Sequence, residues 1–268
     1  MTQLKNKNVL ITGAASGIGK LLATEMAAQG AHVILWDVDE AGVYNLRDVL
    51  QQKGMAATAF VCNVAHAGAV RRTAAHTKRR CGSVDILINN AGIVSGKTIL
   101  ESGETDIYRT FGVNTFALFW TTRAFLEDMI DRGGHIVNIA SAAGLIGTHR
   151  LIDYSSSKFA AVGFDEALRM EIHRLGAPVQ TTVVCPYFID TGMFAGVRSR
   201  FSFLLPILKP EFVVREIIKA IKKNRKRLIL PRFVYLIYPT RMLPIGVFDW
   251  IVRLLGIHRA MDHFHGRH

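Results

Sequence analysis

Cysteine is scarce in this chain: Cys62, Cys81 and Cys185 are its only three among 268 residues. None falls in a metal-binding or redox spacing. That excludes a disulfide framework and leaves reduced thiols of a cytosolic-type compartment. Long apolar runs are missing as well, since no stretch reaches the roughly 18 apolar residues that read as a membrane-spanning helix. The opening MTQLKNKNVLITG passes straight into a strand pattern, with neither the apolar core of a signal peptide nor an anchor before it. The expected location is cytoplasmic, not secreted. Internal repeats, low-complexity linkers and domain breaks are absent too. Acid is the charge in short supply: 21 Asp and Glu stand against 33 Lys and Arg, a net +12. Such an excess attracts phosphates, acidic substrates or an anionic membrane face, and it carries no information about the fold. Nucleic acid is not among the expected partners.

What the chain does have is half its residues hydrophobic and a regular alternation of strand and helix patterns. NVLIT, HVILWD, AATAFVC, VDILINN, HIVNIAS and VQTTVVCP read as short strands. IGKLLATEMAAQG, stopped by Gly30, and residues 39–53, 65–80, 101–130 and 153–175 read as helical. Strands made almost wholly of Val, Ile and Leu are buried on both faces, which calls for a parallel sheet covered by helices. Right-handed crossovers make it a doubly wound α/β sheet of the Rossmann type, in one domain. The alternation is expected to end near residue 190.

Residues 12–19 read TGAASGIG and place Gly13, Gly17 and Gly19 between the first strand and the first helix, with Ser16 and Ile18 in the same turn. Glycine permits a tight turn and lets the backbone approach a pyrophosphate held by N–H groups at the helix N-terminus. Alone, the pattern fits an ordinary turn. Asp37, 18 residues after Gly19 and at the end of the second strand, completes a dinucleotide fingerprint. A carboxylate there accepts hydrogen bonds from a ribose 2′-hydroxyl and repels a 2′-phosphate. The expected cofactor is NAD. The competing reading of Asp37 is a helix N-cap.

NNAG at 89–92, Asn114, Ser141, YSSSK at 154–158 and CPYFIDT at 185–191 follow in one order. With these motifs the chain resembles the short-chain dehydrogenases/reductases of the classical subfamily over residues 7 to about 195. The resemblance implies cofactor contacts from Asn63 and Val64 beside the adenine and from Asn90, Ala91 and Gly92 along the middle. It also implies Pro186, Ile189 and Thr191 at the nicotinamide. Two positions depart from the family pattern. Asn63 stands where Asp is usual and keeps an acceptor oxygen. Tyr187 replaces the Gly after Pro186, which alters the local backbone and brings an aromatic ring toward the substrate.

Tyr154 and Lys158 are four apart and project from one face of a helix. Ser141 lies just past a strand, at the end where ligands bind in open α/β sheets. Alcohol–carbonyl chemistry moves a proton at oxygen as hydride moves at carbon. A Tyr of pKa near 10 is a poor base at neutral pH. A Lys ammonium and a cationic nicotinamide lower that value, and this is the state expected of Tyr154. Lys158 would also hold the nicotinamide ribose and Ser141 the substrate oxygen. Asn114, by the resemblance, would hold a water in a relay to Lys158. Singly, each residue fits packing or capping; their conjunction after a dinucleotide fingerprint fits catalysis.

Past the last motif, DTGMFAGVRSRFSFLL at 190–205 reads as an apolar lid or as a plain core helix. Met193 and Phe194 join Ser141, Tyr154 and Tyr187 as candidate substrate contacts. SSSKFAAVGFDEALRMEI, CPYFIDTGMF, LILPR and MDHF resemble the branch of retinol and 17β-hydroxysteroid dehydrogenases, which implies a lipophilic alcohol or carbonyl substrate. Two other readings stand beside this one. An NADP-dependent carbonyl or 3-ketoacyl reductase is opposed by Asp37, and a non-catalytic NAD(H)-binding regulator is opposed by the intact relay. Residues 1–195 are expected to form the dinucleotide-binding and catalytic core. Residues 190–268 are expected to form a lid and a basic, apolar extension of the same domain, in a homo-oligomer (dimer or tetramer). Residues 201–268 hold 13 Lys and Arg against 4 Asp and Glu. KAIKKNRKRL beside FVYLIYP and LPIGVFDWIVRLLGI suits peripheral membrane contact, a core wall or a subunit interface. Asp249 and Arg253 are spaced to pair. His258, His263, His265 and His268 read as a mobile terminus, and no metal is expected.

Overall fold

Residues 2–266 are described in a computed structural model. The first half alternates β1 (Asn8–Thr12), α1 (Gly17–Ala28), β2 (His32–Asp37), α2 (Glu40–Gln52), β3 (Ala57–Val61), α3 (Ala67–Cys81), β4 (Ile86–Asn89), α4 (Glu104–Phe111) and α5 (Ala117–Arg132). The second half continues with β5 (Gly134–Ile139), α6 (Ile152–Arg174), β6 (Val179–Pro186), α7 (Pro210–Lys222), β7 (Arg227–Leu230), α8 (Ile237–Thr240) and α9 (Ile245–Leu254). The seven strands pair in parallel in the order β3-β2-β1-β4-β5-β6-β7. Val9, Leu10 and Ile11 of β1 and Val33, Ile34 and Leu35 of β2 have no exposed surface. Their aliphatic side chains point alternately to two helical layers, so neither face meets water. The winding direction reverses between β1 and β4, and the carboxyl ends of those strands part into a crevice there.

Six strands lie where the sequence places them. The alternation does not end near residue 190, however: α7 and β7 extend the sheet by one more unit. Val213, Val214, Ile217, Ile218 and Ile221 form the buried stripe of α7, at helical spacing. That signal was present in the sequence, masked by the basic residues between the apolar ones. Residues 190–205 form turns rather than a helix. The paired charges expected on α9 do not meet; Arg253 Nε donates to the Asp249 carbonyl at 3.3 Å, not to its carboxylate. Within the stretch read as a mobile terminus, Ala260 and Met261 are buried, whereas His263 and His265 are exposed. His258, His263 and His265 lie along it, while His268 is outside the described residues. No helix among the described residues is long and apolar enough to cross a membrane, and no metal-binding cluster occurs among them.

Candidate active site

A cleft of about 980 Å³ runs along the crevice, from Asp37, Asn63 and Val64 at one end to Pro186, Ile189 and Thr191 at the other. Gly13 and Gly17 take φ of 64° and 54°, a region open to glycine and strained for other residues. A Cβ on Gly13 would stand 2.9 Å from Ala91 Cα, and one on Gly19 would collide with the Gly13 carbonyl. Gly13, Ser16, Gly17 and Ile18 therefore face the cleft, while Gly19 seals the turn from behind. Thr12, which the sequence reading passed over, fixes this turn to the end of β4. Its hydroxyl accepts from the N–H of Asn90 and of Ala91, both at 3.0 Å. Asn90 Nδ2 donates in return to the carbonyls of Thr12 (2.9 Å) and Gly13 (3.1 Å).

Asp37 is not a helix cap; Asp39 caps α2. The Asp37 carboxylate accepts from Ala15 N at 2.8 Å and from Asp39 N at 3.0 Å, which holds it at the cleft rim. Each oxygen keeps a lone pair for a further donor. Asn63 Oδ1 accepts from Ala65 N at 3.1 Å. Thr105, Tyr108 and Arg109 of α4 line the cleft as well, and no sequence motif marked them. An open glycine turn at a helix N-terminus, an acidic rim and a long cleft together fit an adenine dinucleotide.

Tyr154 and Lys158 are buried on α6, with Lys158 Nζ 5.7 Å from the Tyr154 ring centroid. The Ser141 hydroxyl lies beside the Tyr154 phenol. Burial pushes the Tyr154 phenol up to about 12, against a weaker downward pull from Ser141. Burial also brings Lys158 down to about 8. The lowered Tyr154 pKa expected from the sequence is therefore not produced by the protein alone. The reason is burial: desolvation disfavours the phenolate, while Lys158 Nζ donates to the Ile139 carbonyl at 2.8 Å.

Asn114 sits in a widened, π-helical turn at Gly112–Phe116 between α4 and α5, a distortion that concentrates at functional sites. Its Oδ1 accepts from Ile93 N at 2.9 Å, and its Nδ2 donates to Ile93 O at 2.9 Å and Ser157 Oγ at 3.0 Å. A methyl group at Gly92 would stand 3.5 Å from both Asn114 Oδ1 and Lys158 Nζ, so all three meet at one point. Asp153, also unmarked in the sequence, ties this corner together. Its carboxylate accepts from Ser95 Oγ at 2.9 Å, Thr110 Oγ1 at 2.8 Å and Tyr154 N at 2.8 Å.

A second cavity, about 210 Å³, opens beyond Tyr154. Its walls are apolar and include Ile146, Leu151, Phe188, Phe233, Phe248 and Val252. Ser141, Tyr154, Tyr187 and Phe194 line both this cavity and the cleft, whereas Met193 lines the cleft alone. Burial pushes Tyr187 up to about 12, against a weaker downward pull from Ser199. The 190–205 segment contributes Phe194 and Leu205 to the cavity, while Phe203 is 79% exposed. Nearly half of the wall comes from residues 233–257, which the sequence left between membrane, core and interface.

A family model described as short chain dehydrogenase matches residues 7–201. The chain is 43% identical over 260 residues to short-chain dehydrogenase/reductase family 16C member 6 of Bos taurus, covering 96% of this chain and 82% of that one. It is 41% identical over 263 residues to epidermal retinol dehydrogenase 2 of Mus musculus, covering 97% and 85%. Retinol dehydrogenase 10-B of Xenopus laevis is 38% identical over 295 residues, covering 97% and 86%. Among solved structures, a short-chain dehydrogenase/reductase from Burkholderia phymatum in complex with NAD matches with a TM-score of 0.80 at 27% identity, covering 89% of this chain and 94% of that one.

Proposed function

The chain belongs to the short-chain dehydrogenase family, in its retinol dehydrogenase-like branch, and is an alcohol/carbonyl oxidoreductase; from that premise we propose that it uses NAD(H) and acts on a lipophilic substrate. One observation carries this reading: Ser141, Tyr154, Tyr187 and Phe194 line both the long cleft and the apolar cavity. A cofactor in the first and an alcohol in the second would meet at these four side chains. When bound, NAD supplies the hydride acceptor, or NADH the donor. Asp37 would hold the adenosine ribose and disfavour a 2′-phosphate. Gly13, Ser16, Gly17 and Ile18, backed by Gly19, would hold the pyrophosphate. Asn63 and Val64 would flank the adenine, and Asn90, Ala91 and Gly92 the middle of the cofactor. Pro186, Ile189 and Thr191 would hold the nicotinamide end.

Ser141 would hydrogen-bond the substrate oxygen, and Tyr154 would exchange the proton with it. A phenol kept neutral by burial is ready to give its proton to a carbonyl. Taking one from an alcohol needs positive charge nearby, which Lys158 would supply by turning from the Ile139 carbonyl. Asn114 would hold a water between Lys158 and solvent. Residues up to about 195 would then bind the cofactor and carry the proton, and 190–268 would shape the cavity. A homologous series of linear alcohols, with retinoids and hydroxysteroids, tests the substrate class by NADH absorbance. Each added CH₂ contributes up to ~0.8 kcal/mol on burial, so kcat/KM should climb until the cavity fills. A flat or falling series would overturn the lipophilic assignment.

A second observation favours a peripheral membrane location. Met242 to Val247 are six consecutive apolar residues, all exposed. Val247, Trp250 and Leu254 continue as an exposed stripe of α9 at spacings of three and four. Phe248, Ile251 and Val252 of the same helix line the cavity. Arg232, Arg241 and Arg253 are exposed on the same region. An anionic lipid surface suits that mixture, and a homo-oligomer through other faces is compatible with it.

A further inference from the structure

After α9 the chain folds back across the junction of the two cavities. Ala260 and Met261 are 2% and 0% exposed and pack with Leu151, Tyr154, Phe188 and Val197. Arg198 N donates to the Ala260 carbonyl and His265 N to the Ala195 carbonyl, each at 3.1 Å. Thr148 Oγ1 donates to the Ile257 carbonyl at 2.8 Å. These bonds tie the segment to two loops that also carry cavity walls, 142–151 and 190–205.

Phe264 sits near the end of this segment, against Gly96 in the loop after β4. Gly96 has φ +70°, and a Cβ there would fall within the Phe264 ring. The socket therefore exists only because position 96 has no side chain. On its other side the Phe264 ring lies 6.5 Å from the Phe194 ring, which lies 5.6 Å from Tyr154. Phe194 is one of the four residues lining both cavities. A row of rings thus runs from the glycine socket to the proton-exchanging group.

We propose that residues 257–266 form a strap latched by Phe264 on Gly96, and that Phe264 determines substrate specificity by holding Phe194 at the cavity junction. With the ring seated, Phe194 has packed neighbours on both sides, Tyr154 and Phe264, and the apolar wall is closed. With the ring lost, Phe194 gains room to turn, and the wall no longer measures the substrate. The dinucleotide end of the cleft, at Asp37 and the glycine turn, lies away from the strap and is untouched. The specificity half of this proposal rests on the lipophilic substrate proposed above; the latch does not.

The test uses the full chain as wild type, Phe264→Ala, Phe264→Leu, Gly96→Ala and the Gly96→Ala/Phe264→Ala double variant. Three readouts are taken: hydrogen exchange of peptides covering 194–200 and 257–266, NAD affinity, and kcat/KM along the linear alcohol series. Loss of the latch should raise exchange in both peptides by about tenfold or more, as local opening becomes easier. Phe264→Leu should fall between wild type and Phe264→Ala. The chain-length dependence should flatten through KM, with NAD affinity unchanged. Gly96→Ala strains its own loop in every background, so the double variant is read in the strap peptide: with the ring gone, the methyl loses the Phe264 atoms it would strike and should raise exchange of 257–266 no further. Unchanged exchange in Phe264→Ala overturns the latch, and additive effects in the double variant overturn the socket. Raised exchange with an unaltered chain-length profile overturns the specificity role. If wild type itself shows no chain-length dependence, the lipophilic reading and the specificity role fail together, while exchange still decides the latch.

Discussion

Tyr154 is the residue on which the proposed chemistry turns, and burial rather than a neighbouring charge raises its proton affinity. Replacing it with Phe removes the exchangeable proton and keeps the ring against Phe194. Turnover should fall by ~10²-fold or more, the loss expected when a general acid–base group is deleted. NAD affinity, read by titration, should be retained; near-normal turnover would exclude Tyr154 as the acid. Asp37 carries the second residue-scale prediction. Wild type should use NAD far better than NADP, and Asp37→Ala should narrow the gap, measured as kcat/KM for each cofactor. Equal use of both by wild type would sink the assignment. Asp37 was legible as a cleft residue because its place after a strand and a glycine turn marks it. Thr12 and Asp153 were not. Each is one short polar residue whose partners come from distant segments, and nothing local distinguishes it from a packing or capping residue.

Elements repeat this contrast. The strands of the sheet announce themselves because burial on both faces demands unbroken aliphatic runs. The widened turn that presents Asn114 leaves no such mark, because GVNTF can continue an ordinary helix. Within the central elements a chain of buried side chains joins α5 to α6. Thr121 donates to Asn89 at 2.7 Å, Asn89 to Asn138 at 2.9 Å and Asn138 to Asp165 at 2.9 Å. Burial pushes Asp165 from 3.8 up to about 6, against the downward pulls of the Asn138 bond and Arg169. The folded state thus holds this proton more tightly than the unfolded one. Stability from this group falls as pH rises from 3.8 to about 6, by roughly 3 kcal/mol, and is level above that. Asp165→Asn removes the effect. Urea unfolding should show the variant gaining on wild type by up to about 3 kcal/mol between pH 4 and pH 7. A constant difference would rule this out. His135, lowered to about 4 by burial, acts in the opposite sense. Its neutral form is favoured on folding, so its contribution is lost as pH falls from 6.5 to about 4, offsetting Asp165 in wild type.

At the scale of the whole molecule, α9 carries two apolar faces. Its inner side closes the cavity and its outer side is bare. If the bare side meets anionic lipid, the protein should float with anionic liposomes at low salt and be released at high salt, since each basic residue near the surface adds roughly 1 kcal/mol. Trp250→Glu should abolish flotation without loss of fold, checked by circular dichroism. A wild type that stays in the soluble fraction at low salt has no membrane role in this region.

The amino-acid sequence by itself determined the parallel sheet, the glycine turn, Asp37 and the order Asn114, Ser141, Tyr154, Lys158. Each rests on local spacing or on burial so complete that composition records it. Tertiary structure alone decided that the sheet has a seventh strand, that 233–257 helps wall a cavity, and that Ala260 and Met261 are buried and Phe264 seated on Gly96. A hydrophobic run has the same composition whether it meets lipid, a second subunit or the protein's own interior. Which of these it meets depends on what the rest of the chain brings alongside, and for Phe264 that is a glycine far away in the sequence.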